Sequence, residues 1–284
     1  MRAGTRGSRL ALAQTQMALA ALDDVELVVI RTRGDDSDAP LRELGEGIFV
    51  RALEDALRRG DIDVAVHSLK DLPTEEPGDL VVAAIPRRAD PRDVVIARGR
   101  GGLAALHSGA VVGTGSVRRE AFLRAARPDL VMRPVRGNVD TRLAKVERGE
   151  YDAVVLALAG LVRLGVQVAE QEILPIDMCP PAPGQGALAI QCRREDDQTR
   201  TRLSALDDPG TRDGVAAERA LLRALGASCE IALGAHGRRE GREIALDAAL
   251  AMPDGVRRVS VRAADPAAAA ARAHDALAGT VASA

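Results

Sequence analysis

Twice in this chain a stretch with helical apolar spacing ends in a basic residue and glycine, then passes through an acidic residue into a short apolar run. The two passages are Arg59-Gly60-Asp61-Ile62-Asp63-Val64-Ala65-Val66 and Arg148-Gly149-Glu150-Tyr151-Asp152-Ala153-Val154-Val155. A second echo lies upstream of each. Gly113-Thr114-Gly115-Ser116 follows the strand candidate Ala110–Val112 as Gly4-Thr5-Arg6-Gly7-Ser8 follows Met1–Ala3. Together they predict two α/β lobes of similar plan, facing each other across a cleft. Echoes this short also fit generic βαβ chemistry.

The first apolar run carries the sharper signal. Ile62–Val66 is long enough for one buried strand, then breaks into His67-Ser68-Leu69-Lys70-Asp71-Leu72, and Pro73 prevents further pairing. In an open parallel sheet, ligands sit at the carboxyl ends of the strands. The chain is therefore read as bringing an anionic substrate to Lys70 and Asp71. From the dipeptide alone, Asp71 reads as a turn-capping aspartate.

Around this run the elements follow in order. Gly4–Ser8 leads into a helix over Arg9–Leu22, where Leu10, Ala13, Met17 and Ala21 recur at helical spacing. Such a turn delivers backbone N–H groups, Arg6 and Ser8 to a helix N-terminus, an anion site, although an ordinary strand-to-helix turn is the plainer reading of the spacing. Glu26–Ile30 and Leu80–Ile85 read as strands, and Arg31–Gly47 as a long polar loop. Phe49, Leu53 and Leu57 mark a helix ending near Gly60, and Pro86-Arg87-Arg88-Ala89-Asp90-Pro91 is a hinge candidate.

The second lobe holds the informative arginines. Arg118 and Arg119 fall in the first turn of a helix after Gly113–Ser116, Arg136 follows the strand candidate Leu130–Met132, and Arg142 lies in the next helix. Cations at a helix N-terminus oppose the macrodipole, at about 0.3–1 kcal/mol each, so an anion is expected there. Guanidinium forks near strand ends suit carboxylates held bidentately. Any one of these arginines alone reads as part of a solvated basic face.

Pro180-Pro181-Ala182-Pro183-Gly184-Gln185-Gly186 is a rigid crossing, and the strand Ala187–Gln191 after it is expected to return the chain to the first lobe. From about residue 205 the character changes. A helix over Arg212–Leu225 leads to Gly226-Ala227-Ser228-Cys229. Strands Ile231–Ala235, Ile244–Met252 and Val256–Ala263 follow, the last two joined by Pro253-Asp254-Gly255, then an alanine-rich helix over Pro266–Leu277. That is a small α+β domain with an antiparallel sheet. The expected division is 1–86 with 184–204, then 87–183, then 205–284.

Composition narrows the function classes. With no Trp, one Tyr and two Phe in 284 residues, the core is aliphatic and the aromatic anchors of nucleic-acid surfaces are missing. Lys plus Arg at 39 nearly balances Asp plus Glu at 41, which argues against a polyanion binder. Three cysteines with no C-x-x-C pair propose neither a disulfide framework nor a zinc cluster, and no metal site is expected. No segment reads as a signal peptide or membrane span, so a reducing, cytoplasmic setting is expected, with no membrane or nucleic-acid partner. Cys192 reads as a small buried hydrophobe, and Cys229, in a loop after a helix end, as the thiol open to an electrophile.

Six motifs then become specific together: Gly4-Thr5-Arg6-Gly7-Ser8-Arg9-Leu10-Ala11, Ala65-Val66-His67-Ser68-Leu69-Lys70-Asp71-Leu72-Pro73, Val117-Arg118-Arg119, Val135-Arg136-Gly137-Asn138-Val139-Asp140-Thr141-Arg142-Leu143, Pro183-Gly184-Gln185-Gly186-Ala187 and Gly226-Ala227-Ser228-Cys229. In order and spacing they resemble the porphobilinogen deaminases, also called hydroxymethylbilane synthases. The resemblance runs from residue 4 to about 237, and more loosely to the end.

The resemblance implies a tetrapyrrole-pathway transferase of haem biosynthesis. Such an enzyme joins four porphobilinogen molecules head to tail, releases ammonia each time and hydrolyses off hydroxymethylbilane. It implies two lobes resembling type II periplasmic binding proteins, a small C-terminal α+β domain, and a monomer. It also implies a covalent dipyrromethane cofactor joined by a thioether to Cys229. By the same likeness Lys70, Ser68, Thr114, Ser116, Arg118 and Arg119 would hold the cofactor. Arg6, Ser8, Gln14, Arg136, Arg142, Arg163 and Gln185 would serve the incoming substrate or growing chain, and Asp71 would be catalytic. Porphobilinogen carries acetate and propionate groups, so a growing chain accumulates carboxylates that arginines can neutralise.

Three departures mark the chain. Glu46 and Arg51 stand where lysines are frequent, Gly115 replaces a frequent serine, and Ala232 falls in a segment lacking the proline common after the attachment cysteine. The reading from another class is a non-catalytic two-lobe binding protein for a small polycarboxylate. It has no need of a thiol at Cys229.

Overall fold

The computed structural model describes residues 1–30, 48–99, 101–169, 172–226 and 231–279. The expected loop over 31–47 and the attachment residue Cys229 lie outside the described residues. The strands are β1 (Arg2–Thr5), β2 (Glu26–Val29), β3 (Val64–Ser68), β4 (Leu80–Ala84), β5 (Asp93–Ala97), β6 (Val111–Gly113), β7 (Val131–Arg133), β8 (Ala153–Ala157), β9 (Leu188–Arg193), β10 (Leu233–Glu240), β11 (Glu243–Met252) and β12 (Gly255–Ala263). The helices are α1 (Arg9–Ala18), α2 (Ile48–Arg59), α3 (Val117–Ala126), α4 (Val139–Glu147), α5 (Leu158–Arg163), α6 (Asp197–Ser204), α7 (Pro209–Ala224) and α8 (Pro266–Ala278). Two compact units result: Met1–Ala89 with Ala187–Arg212, and Asp90–Gly186 with Asp213–Ala284.

In the first unit the sheet order is β2-β1-β3-β9-β4. The first three strands are parallel, and β9 runs antiparallel to both its neighbours. Successive side chains of a strand face opposite ways, so the apolar run of β3 is buried on both faces. Val64 and Val66 pack with Ala3, Ala18, Ile190 and Leu203, while Ala65 packs with Leu53, Leu57 and Leu80. Helix α1 stops at Ala18, short of the expected Leu22, because Leu19 is drawn into the core and Asp24 takes a left-handed φ of 55° that turns the chain back into β2.

In the second unit the sheet order is β5-β8-β6-β7. Its parallel trio β7-β6-β8 repeats β2-β1-β3, and β5 is the antiparallel fourth strand, where the first unit has β9. The repeated sequence passage thus corresponds to a repeated strand plan. Gly60 and Gly149, the shared glycines, both adopt positive φ (74° and 76°) on the way into β3 and β8, a conformation a Cβ disfavours. The expectation of an open parallel sheet is corrected: both sheets are mixed. An antiparallel strand needs no crossover helix, so β9 enters its sheet directly after the proline-rich crossing. Alternation again buries both faces of β8, with Ala153 and Val155 beside Phe122 and Leu123, and Val154 and Leu156 beside Val146 and Leu161.

The C-terminal sheet is antiparallel, in the order β10-β11-β12. The turn at Pro253-Asp254 is closed by the pair Met252 and Gly255, as the sequence predicts. Strand β10 continues to Glu240, five residues past the predicted end, and turns tightly at Gly241 into β11. Its outer half is exposed, hence polar, and so reads as loop. Helices α7 and α8 cover the sheet, with Ala217, Leu221, Ala269, Ala273 and Leu277 in one core with Leu233, Ile244 and Leu246. Helix α7 backs onto β10 so closely that a Cβ on Gly214 would lie 2.4 Å from the Gly237 carbonyl oxygen. Helix α6 was not legible: Leu203 is its one buried side chain. Cys192 lies inside β9, fully buried, where burial pushes its thiol up to about 11. Among the described residues no helix is long and apolar enough to cross a membrane.

Candidate active site

Because β1 and β3 are parallel neighbours, their carboxyl ends bring two of the sequence motifs to one edge of the first sheet. Ser8 caps α1, its hydroxyl accepting from the Ala11 N–H at 3.2 Å. From the second turn of that helix Gln14, almost wholly buried, reaches Ser68 at 3.1 Å. Beyond Ser68, Leu69–Asp71 form a single tight turn closed by the Leu72 N–H on the Leu69 carbonyl at 3.2 Å. Leu69 is buried and anchors the turn, leaving Lys70 and Asp71 exposed. The Asp71 carboxylate makes no hydrogen bond or ion pair among the described residues, so it is not capping the turn that carries it.

Behind this motif lies a buried polar chain that the sequence reading missed. His67 Nε2 meets Gln191 Oε1 at 3.1 Å, and Gln191 Nε2 donates to Glu54 Oε1 at 3.1 Å. With the Gln191 amide donating onward, its oxygen accepts and His67 is the Nε2–H tautomer. Burial pulls His67 down to about 4, so it stays neutral. Its signal in the sequence was a polar residue at a core position of an apolar run.

In the second unit Thr114 follows β6, fully buried, and its hydroxyl accepts from the Ser116 N–H at 3.1 Å. Ser116 caps α3, its hydroxyl facing the Arg119 N–H at 3.4 Å. Arg118 and Arg119 lie in the first turn, 5% and 6% exposed. Both reach Asp93, the first residue of β5, itself without solvent exposure. Arg118 donates to Asp93 Oδ2 at 2.7 Å and to the Pro180 carbonyl, while Arg119 donates to Asp93 Oδ1 from two nitrogens, at 2.8 and 3.1 Å, and to the Val155 carbonyl at 3.0 Å. The anion expected beside these cations is thus, in part, a residue of the chain. Asp93 was missed because one carboxylate opening an apolar run has no pattern of its own.

The remaining predicted residues of this unit lie on the adjoining elements. Gln185 donates to the Pro91 carbonyl at 2.6 Å and to Asp93 Oδ1 at 2.8 Å. Arg136 follows β7, and Arg142, on α4, donates to the Gly137 carbonyl at 2.8 Å. Burial, with Arg119 and Arg136 nearby, lowers the affinity of Arg142 for its proton. Arg163, at the end of α5, donates to the Gly186 carbonyl at 2.7 Å, and burial pulls it down to about 10. A buried guanidinium beside other cations, as Arg142 is, makes an environment that an anionic ligand relieves.

A carboxylate-bearing cofactor fits this donor set. Among the described residues Arg118 and Arg119 share one acid, which leaves one unit of positive charge, and Arg118 Nε is buried without a hydrogen-bond partner. Thr114, Ser116, Arg118 and Arg119 are the residues that would hold it here. Ser68 and Lys70 lie in the first unit, at the end of β3 and in the turn after it.

The fold defines an α/β protein, and the buried arginine pair of its second unit is suited to a carboxylate. Residues 1–201 match the family model for the porphobilinogen deaminase dipyromethane cofactor binding domain, and residues 214–277 that for the porphobilinogen deaminase C-terminal domain. A porphobilinogen deaminase of Acidothermus cellulolyticus is 50% identical over 265 residues, covering 90% of this chain and 80% of its own. One from Thermus thermophilus is 49% identical over 260 residues, covering 89% and 85%. The chain belongs to the porphobilinogen deaminase family, whose cofactor is dipyrromethane. Among solved structures, a methionine-binding lipoprotein from Bacillus subtilis aligns with 72% of this chain and 87% of its own at 13% identity, with a TM-score of 0.43.

Proposed function

We infer that this chain is a hydroxymethylbilane synthase, a transferase that joins four porphobilinogen molecules head to tail, releases ammonia at each addition and hydrolyses off the linear product. The observation that carries the assignment of Asp71 is its exposed carboxylate at the tip of β3, unpartnered among the described residues. Such a group accepts new donors without breaking a bond of the folded protein. When bound through a thioether to Cys229, dipyrromethane supplies the free pyrrole α-carbon from which the chain grows.

Each residue then has a task. In the second unit Thr114, Ser116, Arg118 and Arg119 bind cofactor carboxylates, and in the first Ser68 and Lys70 do so. Arg6, Ser8, Gln14, Arg136, Arg142, Arg163 and Gln185 bind and orient the carboxylates of the arriving porphobilinogen and of the product. The Asp71 carboxylate accepts from pyrrole N–H groups, stabilises the positive charge that develops on the substrate as ammonia leaves, and helps carry away the proton lost from the attacking pyrrole α-carbon. The division at 1–86 with 184–204, 87–183 and 205–284, a cytoplasmic setting and a monomeric state belong to the same proposal. The odd cysteine count without C-x-x-C supports the reducing compartment.

Intact-mass measurement tests it. Protein from porphobilinogen-competent cells is expected to carry the added mass of two pyrrole units, and Cys229→Ser protein none. An unmodified mass that persists after incubation with porphobilinogen, with no ammonia released, would overturn the reading.

A further inference from the structure

We propose that Asp93 is the positioning residue of the anion site on α3: it sets the orientation of Arg118 and Arg119 and cancels one of their two charges, leaving the pair one positive charge to offer a carboxylate. The proposal rests on the reading of those arginines as cofactor-binding residues.

The geometry is that of a carboxylate held from every side. Oδ1 accepts from Arg119 Nε at 3.1 Å, from the same guanidinium's terminal nitrogen at 2.8 Å and from Gln185 at 2.8 Å. Oδ2 accepts from Arg118 at 2.7 Å and from the Cys179 thiol at 3.5 Å. A carboxylate has about four lone-pair sites, so Asp93 is saturated and has no capacity left to accept from a ligand. It acts only through the arginines. Three of the five N–H donors of Arg119 are committed to Asp93 and Val155. The fork is locked in one orientation, and what it has left points away from the acid.

The charge count argues against a purely structural ion pair. An isolated buried pair is neutral, whereas here two buried guanidinium ions share one buried carboxylate. An uncompensated buried charge is costly, and an arrangement that retains one is prepared for an anion from outside. The buried Arg118 Nε, without a partner among the described residues, points the same way. Asn at this position would keep the shape but turn an amide toward a guanidinium and leave two positive charges together. Both arginines would then lose their reference point.

Three variants test this on the full chain: Asp93→Asn, Asp93→Glu and Gln185→Glu. Each is compared with the unaltered protein by thermal unfolding, by the fraction carrying the cofactor mass after incubation with porphobilinogen, and by KM and kcat. In Asp93→Glu the charge is kept but the carboxylate is displaced by a methylene. The expectation is near-normal folding, slowed loading, and a KM for porphobilinogen raised about tenfold or more. Gln185→Glu gives the two guanidinium ions two acids, which cancels the excess charge. It should fold and load poorly, so it decides the matter if both Asp93 variants fail to fold.

A folded Asp93→Glu or Gln185→Glu protein that loads completely with unchanged KM would overturn the positioning role. An unaltered protein that never gains the cofactor mass would instead overturn the reading on which the proposal rests.

Discussion

Gln14 and Ser68 meet side chain to side chain at 3.1 Å across 54 residues of sequence. The contact ties the second turn of α1 to the tip of β3, so the glycine-rich turn that starts α1 and the tight turn carrying Lys70 and Asp71 are held in one register. Replacing Gln14 with Leu leaves the half-buried Ser68 hydroxyl without this partner. The expected cost is about 1–2 kcal/mol in urea unfolding, with KM rising several-fold more than kcat falls.

Asp71→Asn removes the charge from a nearly isosteric side chain that makes no hydrogen bond or ion pair among the described residues. Folding and cofactor mass should be unchanged, while turnover of porphobilinogen falls by about two orders of magnitude or more. Stopped-flow or steady-state ammonia release measures this, and near-normal turnover would remove Asp71 from its role.

His67 predicts a pH dependence of stability. In the unfolded chain it takes a proton near its ordinary value of 6.5, whereas the buried, Gln191-bonded ring resists protonation down to about 4. Between these values the unfolded state binds more protons, so stability falls as pH falls, with a slope from this group approaching 1.4 kcal/mol per pH unit. His67→Gln, which can still donate to Gln191, should flatten the difference between unfolding curves at pH 7 and pH 5. Parallel curves for the two proteins would show that His67 does not contribute.

Glu218 on α7 is fully buried and accepts from two backbone groups, the Gly184 N–H at 2.6 Å and the Gly237 N–H at 2.7 Å. It joins the proline-rich crossing to β10 within the second unit. Glu218→Ala strands both donors, at about 1–3 kcal/mol each, so denaturant unfolding should show a loss of about 2–5 kcal/mol. Glu218→Gln, which keeps one acceptor, should lose less.

Much of this molecule was legible before any coordinate was known, and the misses share a cause. Strand β3, helix α2 and the hairpin at Pro253-Asp254 announce themselves because their signals are local: an apolar run, a helical repeat, a turn dipeptide. Helix α6 and the outer half of β10 do not, because their side chains face solvent and burial leaves little pattern in them. Of the candidate residues, Ser8 and Ser116 appear where their motifs put them, each capping a helix after a strand. Asp93, Gln191 and Glu218 are polar residues whose partners lie 19 to 137 positions away, and no spacing rule reaches that far.

The sequence by itself determined where a reactive group could stand. In Ser68-Leu69-Lys70-Asp71-Leu72-Pro73, Pro73 halts pairing and the polar residues follow a buried strand, so Lys70 and Asp71 end at a sheet edge whatever else the chain does. It also determined that Arg118 and Arg119 begin a helix, since Ser116 is a strong cap. Tertiary structure alone decided how those arginines are balanced. Asp93 lies 25 residues before Arg118 in sequence, and only the packing of β5 and β8 beneath α3, with the chain at 179–185 folded back upon them, brings one carboxylate between two guanidinium ions. Charge balance in a buried site depends on which groups share a low-dielectric volume, and that is a property of distance in space rather than of order along the chain.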